Sequence, residues 1–148
     1  MWTKSKSMML TRVTVILFMA LLIAGAVLLP LLLQWYIANR GTPEENFLPM
    51  LILGWLCVPP AFVALLCMHK ILRNIQKEQI FIKGNVKLFR ILSWCCFIAA
   101  LPLLFYGFLN IITVFFAAIL AFIALLLRVA KNMLETAVEL KAENDLTV

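Results

Sequence analysis

Apolar positions fill residues 13–36, 47–68 and 91–127, while polar ones gather between these runs and after the last. From Ile91 to Leu127 there is no Asp, Glu, Lys, Arg or His, and the markedly polar side chains are Ser93, Asn110 and Thr113. A single helix of that length would be roughly 55 Å long, against about 30 Å of hydrocarbon in a bilayer. The run therefore predicts two membrane helices folded back on each other. Tyr106-Gly107-Phe108-Leu109-Asn110 is the one place in it with turn character. Glycine tolerates the positive φ a tight turn can demand, asparagine accepts similar angles, and tyrosine suits the headgroup level.

The same pattern predicts an all-α polytopic membrane protein of one domain, residues 1–148, with spans at about 13–36, 47–68, 88–106 and 110–127. Residues 13–36 follow a basic flank, as a secretory leader would. The run is longer than the roughly 7–15 residues of such a leader's apolar region, and no small-x-small cleavage site follows, so it reads as a retained first span. In the loop at 38–46, Thr42 is expected to cap the second helix, with Pro43 at its first position. Pro59-Pro60 near the middle of the second span should kink or break it, because two backbone donors are missing and the rings clash with the preceding turn. Such a kink serves a hinge or a binding cleft, but it also occurs in membrane helices that have neither.

Residues 69–87 form the most charged stretch, in which Ile71, Leu72, Ile75, Ile80, Phe81 and Ile82 alternate with cations. This predicts an amphipathic segment lying among headgroups, broken at Gly84, with Asn85 as N-cap of the third helix. His69 at the membrane boundary needs no pH-sensing role. The fourth helix is expected to continue past Arg128 to about Lys141 or Glu143, since Ala130, Met133, Leu134, Ala137, Val138 and Leu140 recur at three- and four-residue spacing. Lys131–Glu135 is an attractive i,i+4 pair and Glu135–Glu139 a repulsive one, so pairing does not explain the continuation. An apolar stripe awaiting a partner does: the 71–82 segment, a second copy in a homo-oligomer, or another protein.

Composition and charge sharpen this picture. The chain is 65% hydrophobic, above the roughly 45–50% of soluble domains. Of its 13 Lys and Arg, 12 fall in the N-terminal flank, the 69–90 stretch and the tail at 128–148, leaving Arg40 alone in the other two connections. The positive-inside rule then puts both termini and the middle loop in the cytoplasm. Cations beside membrane segments point to anionic lipid rather than to direct nucleic-acid binding. No span carries an ionisable residue near its centre, which argues against a transporter. Nucleophile elbows, paired His ligands and phosphate-binding glycine loops are absent from the sequence, so no catalytic residue, metal ligand or cofactor is assigned. Cys57, Cys67, Cys95 and Cys96 read as small buried hydrophobes, with palmitoylation at Cys67 the alternative. Ser93 and Thr113 are expected to bond to carbonyls of their own helices.

Two motifs carry a resemblance. Ile80-Phe81-Ile82-Lys83-Gly84-Asn85-Val86-Lys87-Leu88-Phe89-Arg90 resembles the "Phe, short spacer, Asn-Val-Lys, hydrophobic, Arg" lead-in to the third helix of a bacterial family of small tetraspan membrane proteins. The ending from Ala137 to Val148 resembles that family's "Glu-Leu-Lys-x-Glu-Asn-Asp-Leu-Thr-aliphatic" terminus. The family is domain-of-unknown-function 2975. Phe89 and Gly84 depart mildly from its pattern. The resemblance implies a membrane regulator paired with a small helix-turn-helix transcription factor, bound at the cytoplasmic face. The residues expected to meet it are Lys83, Asn85, Lys87 and Arg90 on one side and Glu135, Glu139, Glu143 and Asp145 on the other. Pairing of those acids with the protein's own Lys83, Lys87 and Arg90 is the favoured alternative to pairing with a basic partner. A second functional class stays open: binding of an apolar ligand or peptide near Pro59-Pro60, as in an immunity or membrane-stress protein.

Overall fold

The computed structural model describes residues 4–41, 43–108 and 110–147, with side chains from residue 9 onward. The chain forms α1 (Lys4–Arg40), a 3-10 turn (Glu44–Asn46), α2 (Phe47–Gln76), α3 (Lys83–Tyr106) and α4 (Ile111–Leu146). Each helix is long and apolar enough to cross a bilayer, and there is no strand among the described residues. The expected all-helical, four-span architecture is thus present.

Each helix packs on its neighbour in sequence. α3 lies between α2 and α4, and α1 packs on α2. Burial follows from this arrangement. α3 holds half of the buried side chains described, Ser93, Cys95 and Ala100 among them, whereas α1 buries only Val15 and Ile37 among its described side chains. The contacts are made by small residues: Ala117 and Ala124 on α4, and Gly54 on α2, where an added Cβ would lie 2.6 Å from Leu29 of α1. Small residues let helix backbones approach closely, and in lipid that van der Waals contact replaces the hydrophobic drive available in water. The large apolar side chains point outward instead, as Phe115 and Phe122 do on α4. Such a surface is stable only against hydrocarbon.

Local chemistry sets the connections, and several expectations change here. Gly41 ends α1 with φ +63° and donates its N–H to the Ile37 carbonyl at 3.2 Å, the left-handed cap that glycine favours. The expected Thr42 cap lies outside the described residues. Pro43 precedes the 3-10 turn rather than opening α2, which starts four residues later. α2 then runs through Pro59 and Pro60 without interruption, so the double proline does not break it. The stretch 69–87 divides: residues 69–76 complete α2, 77–82 connect, and 83–87 open α3.

At the α3–α4 turn, Gly107 has φ −57° and uses no left-handed freedom. Glycine is required there because a Cβ would collide with Val114 and lie 2.9 Å from the Leu104 carbonyl oxygen. Asn110 is the N-cap of α4, accepting from the Ile112 N–H at 3.1 Å, which is a different role from the turn residue expected. Leu109 of that turn lies outside the described residues. Ser93 Oγ donates to the Arg90 carbonyl and Thr113 Oγ1 to that of Asn110, at 2.8 and 2.7 Å, as predicted.

Candidate functional site

The chemistry of the chain collects at one end of the helical array, where α2 finishes, α3 starts and the second half of α4 runs past both. Its organising residue is Asn85, 2% exposed. Expected as an N-cap, it instead sits within the first turn of α3, three residues after the cap position, which Ile82 occupies without a side-chain bond. The Asn85 amide makes three bonds: its Oδ1 accepts from Asn74 Nδ2 at 2.7 Å, and its Nδ2 donates to the carbonyls of Gln79 and Ile80 at 2.9 and 2.8 Å. One buried side chain thus ties the end of α2, the connection and the start of α3 together. Asn85 is buried within this clasp, not displayed on the surface as Lys83 and Lys87 are. Asn74, its direct partner, was not singled out from the sequence. An asparagine amid the isoleucines of an amphipathic stretch was the available signal.

The connection is itself tightly wound. Gln79 N–H donates to the Asn74 carbonyl and Glu78 N–H to that of Ile75, both at 3.0 Å, which is the double bond pattern of a Schellman helix end. That motif places Glu78 in the left-handed region at φ 58°, where glycine is the usual residue. The resulting path leaves Ile80 and Phe81 exposed.

Two grooves flank α3 here. One, of about 460 Å³, has walls formed by Ile71, Ile75, Phe81 and Phe89 on one side and Met133 and Leu134 of α4 on the other. The apolar stripe of α4 therefore faces the 71–82 segment across an open groove rather than closing on it. The second groove, about 500 Å³, runs between α3 and α4 with Lys83, Lys87 and Arg90 opposite Glu135 and Glu139. Of the internal pairs expected, Arg90 meets Glu135 at 3.8 Å, and Lys131 holds the other carboxylate oxygen at 2.5 Å. The Lys131 hydrogen bond, aided by the charges of Lys131 and Arg90, keeps the Glu135 carboxyl below the usual glutamate range. Among the described residues, Lys83, Lys87, Glu139, Glu143 and Asp145 form no ion pair, and residues 139–147 are all exposed.

Arg128 of α4 stacks over Trp94 and Phe97 of α3, 5.0 and 5.6 Å from the ring centroids. An arginine lying on a tryptophan marks the level at which apolar side chains give way to charged ones. Farther along, Pro59 and Pro60 line separate grooves. Pro59 borders a shallow one of about 360 Å³ with Trp55, and Pro60 a larger one of about 690 Å³ between α2 and α4, floored by Cys95 and Ala99 of α3. Cys57 Sγ donates to the Ala99 carbonyl at 3.9 Å, and all four cysteines are free. No group of three or more His, Cys, Asp or Glu placed to hold a metal ion occurs among the described residues.

Compared with known proteins, residues 35–148 match the family described as "protein of unknown function (DUF2975)". The chain belongs to the DUF2975 family. The matched region begins at the last turns of α1 and takes in all of α2, α3 and α4. It therefore contains the Asn85 clasp, both grooves beside α3 and the long α4 of this DUF2975 protein. No curated protein and no solved structure matches the chain.

Proposed function

We propose that this DUF2975 protein is a non-enzymatic regulator that holds a small helix-turn-helix transcription factor at its cytoplasmic face. The observation carrying the proposal is the apolar groove walled by Ile71, Phe81, Phe89 and Met133, beside an α4 that extends beyond it. From Arg128 to Leu146, α4 has about 27 Å of length left after the charge boundary, far more than a headgroup layer requires. With 12 of 13 cations on this side, the positive-inside rule places it in the cytoplasm together with both termini. The groove offers an apolar seat to one amphipathic helix, and Glu143 and Asp145 lie exposed on the end of α4 that runs on beyond it. DNA-binding helix-turn-helix proteins carry a basic surface for phosphate, so an acidic helix end beyond an apolar seat competes with DNA for that surface. Lys83, Lys87 and Arg90 lie across α3 from this seat, and Asn85 sets the path of its floor.

A photo-crosslinking amino acid at Met133, in the full chain in native membranes, tests this reading. The expected adduct contains a small soluble protein with a helix-turn-helix sequence. Adducts with lipid alone, or with this chain alone, would overturn it. A second reading rests on the 690 Å³ groove beside Pro60, whose lining is almost wholly apolar: the protein binds an apolar ligand or peptide within the membrane, as an immunity or stress protein would. Deletion that changes sensitivity to an apolar toxin with transcription unaltered favours that reading.

A further inference from the structure

The charged groove between α3 and α4 continues downward as one face of α3. Lys83, Lys87, Arg90 and Trp94 follow at helical spacing, and beyond them Ile98, Leu101 and Phe105 lie exposed on the same side of the helix. The face thus reads cation, cation, cation, indole and then apolar track. The apolar track from Trp94 to Phe105 is about 16 Å long, close to half of the roughly 30 Å of hydrocarbon. Arg90 lies about 6 Å beyond Trp94 along the axis, within a headgroup layer of about 5–8 Å, and Lys87 and Lys83, about 10 and 16 Å beyond it, reach back to that layer through their long flexible side chains. Arg128 over Trp94 adds a fourth cation at the boundary itself.

The donors on this face are available. Lys83 and Lys87 make no side-chain hydrogen bond or ion pair among the described residues. Arg90 approaches Glu135 only to 3.8 Å, beyond hydrogen-bond reach, because Lys131 draws that carboxylate toward its own helix at 2.5 Å. Glu139 is the remaining carboxylate on the groove wall, and it leaves the cations in excess. Val86, Ile91 and Val138 line the same cavity of about 500 Å³, so the positive rim has an apolar floor leading toward the hydrocarbon.

We infer that this groove is a binding site for the phosphate of an anionic glycerophospholipid, with Lys83, Lys87 and Arg90 on the headgroup and an acyl chain along Ile98 and Leu101. The lipid, and not free phosphate, is the ligand, because only a lipid uses both the cations and the track below them. Occupancy places a negative group opposite Glu135 and Glu139. It therefore couples the lipid composition around the protein to the spacing of α3 and the long end of α4.

The test uses the full chain, purified in a zwitterionic detergent, with phosphatidylglycerol or phosphatidylcholine added and the retained lipid counted by native mass spectrometry. A cation near a membrane surface contributes about fivefold in binding to anionic lipid. The wild type is expected to prefer phosphatidylglycerol by at least tenfold (about 1.4 kcal/mol). The triple variant Lys83→Gln, Lys87→Gln, Arg90→Gln should lose that preference, and Lys83→Arg, Lys87→Arg, Arg90→Lys should keep it. Arg73→Gln with Lys77→Gln removes cations of the same end outside the groove and should change it less than twofold. Equal losses in the two neutralised variants would mean a diffuse field and overturn the site, as would a preference that survives the triple variant. Displacement of phosphatidylglycerol by millimolar inorganic phosphate would overturn the lipid as the ligand.

Discussion

Replacing Asn85 by aspartate separates two accounts of the same residue by the sign of the effect. Were Asn85 an N-cap, as the sequence suggests, aspartate would serve equally well, since both accept a bond from the first turn of a helix. In the structure the side chain must also donate, through Nδ2, to the carbonyls of Gln79 and Ile80 at 2.9 and 2.8 Å. A carboxylate keeps the bond from Asn74 but turns both donations into contacts between oxygens, at a residue that is 2% exposed. Two lost bonds cost about 2 kcal/mol, and the charge confined there adds at least 1 more. Asn85→Asp should therefore destabilise the clasp by about 3 kcal/mol or more, and Asn85→Ala by about 2–3. Hydrogen exchange in detergent micelles is the assay, because local opening reports the clasp without global unfolding. The amides of Glu78 and Gln79, bonded to the Ile75 and Asn74 carbonyls, should exchange about 100-fold faster in Asn85→Asp, and about fivefold faster in Asn74→Ala, which loses one bond. Wild-type exchange in Asn85→Asp would refute the clasp and restore the cap.

Three further outcomes are expected. Glu78→Gly removes the strain of φ 58°, and after the added freedom of the unfolded chain the gain is about 0.5–1 kcal/mol, read as a higher midpoint in thermal melts. Gly107→Ala should cost about 1–3 kcal/mol through the clash with Val114, and Val114→Ala should recover part of that loss in the double variant. Because the Glu135 carboxyl is held below its ordinary range, its contribution is present above the unfolded carboxyl's pKa and fades as pH falls through the lower folded value. The distance between spin labels at Val86 and Val138 should thus stay constant through neutral and mildly acidic pH and lengthen only below the usual glutamate range; in Lys131→Gln the change should begin at higher pH.

The membrane helices were legible because hydropathy runs and charge counts depend on composition over twenty residues, and no tertiary contact has to be known. The continuity of α4 was legible too, since an unbroken three- and four-residue apolar period without Gly or Pro permits little else. Single-residue roles were harder to read. Asn85 looks like a cap because it follows a glycine before an apolar run, yet its partners Asn74, Gln79 and Ile80 come from the other side of the connection. Gly107 looks like a left-handed turn residue, but it is needed for the approach of Val114, which only the packed helices reveal. The grooves were invisible for the same reason. They exist because α3 stands between two helices of different length, and periodicity does not say which apolar faces stay open.

The account depends on one sidedness: the clasp, both grooves beside α3 and the end of α4 on the cytoplasmic side, and the 3-10 turn opposite. Cysteine labelling in intact cells measures it directly. With Cys57, Cys67, Cys95 and Cys96 replaced by alanine, Glu45→Cys and Glu139→Cys supply one thiol at each end, both at exposed positions. An impermeant thiol reagent should label Glu45→Cys in intact cells and Glu139→Cys only after permeabilisation. Labelling of Glu139→Cys in intact cells would contradict the account.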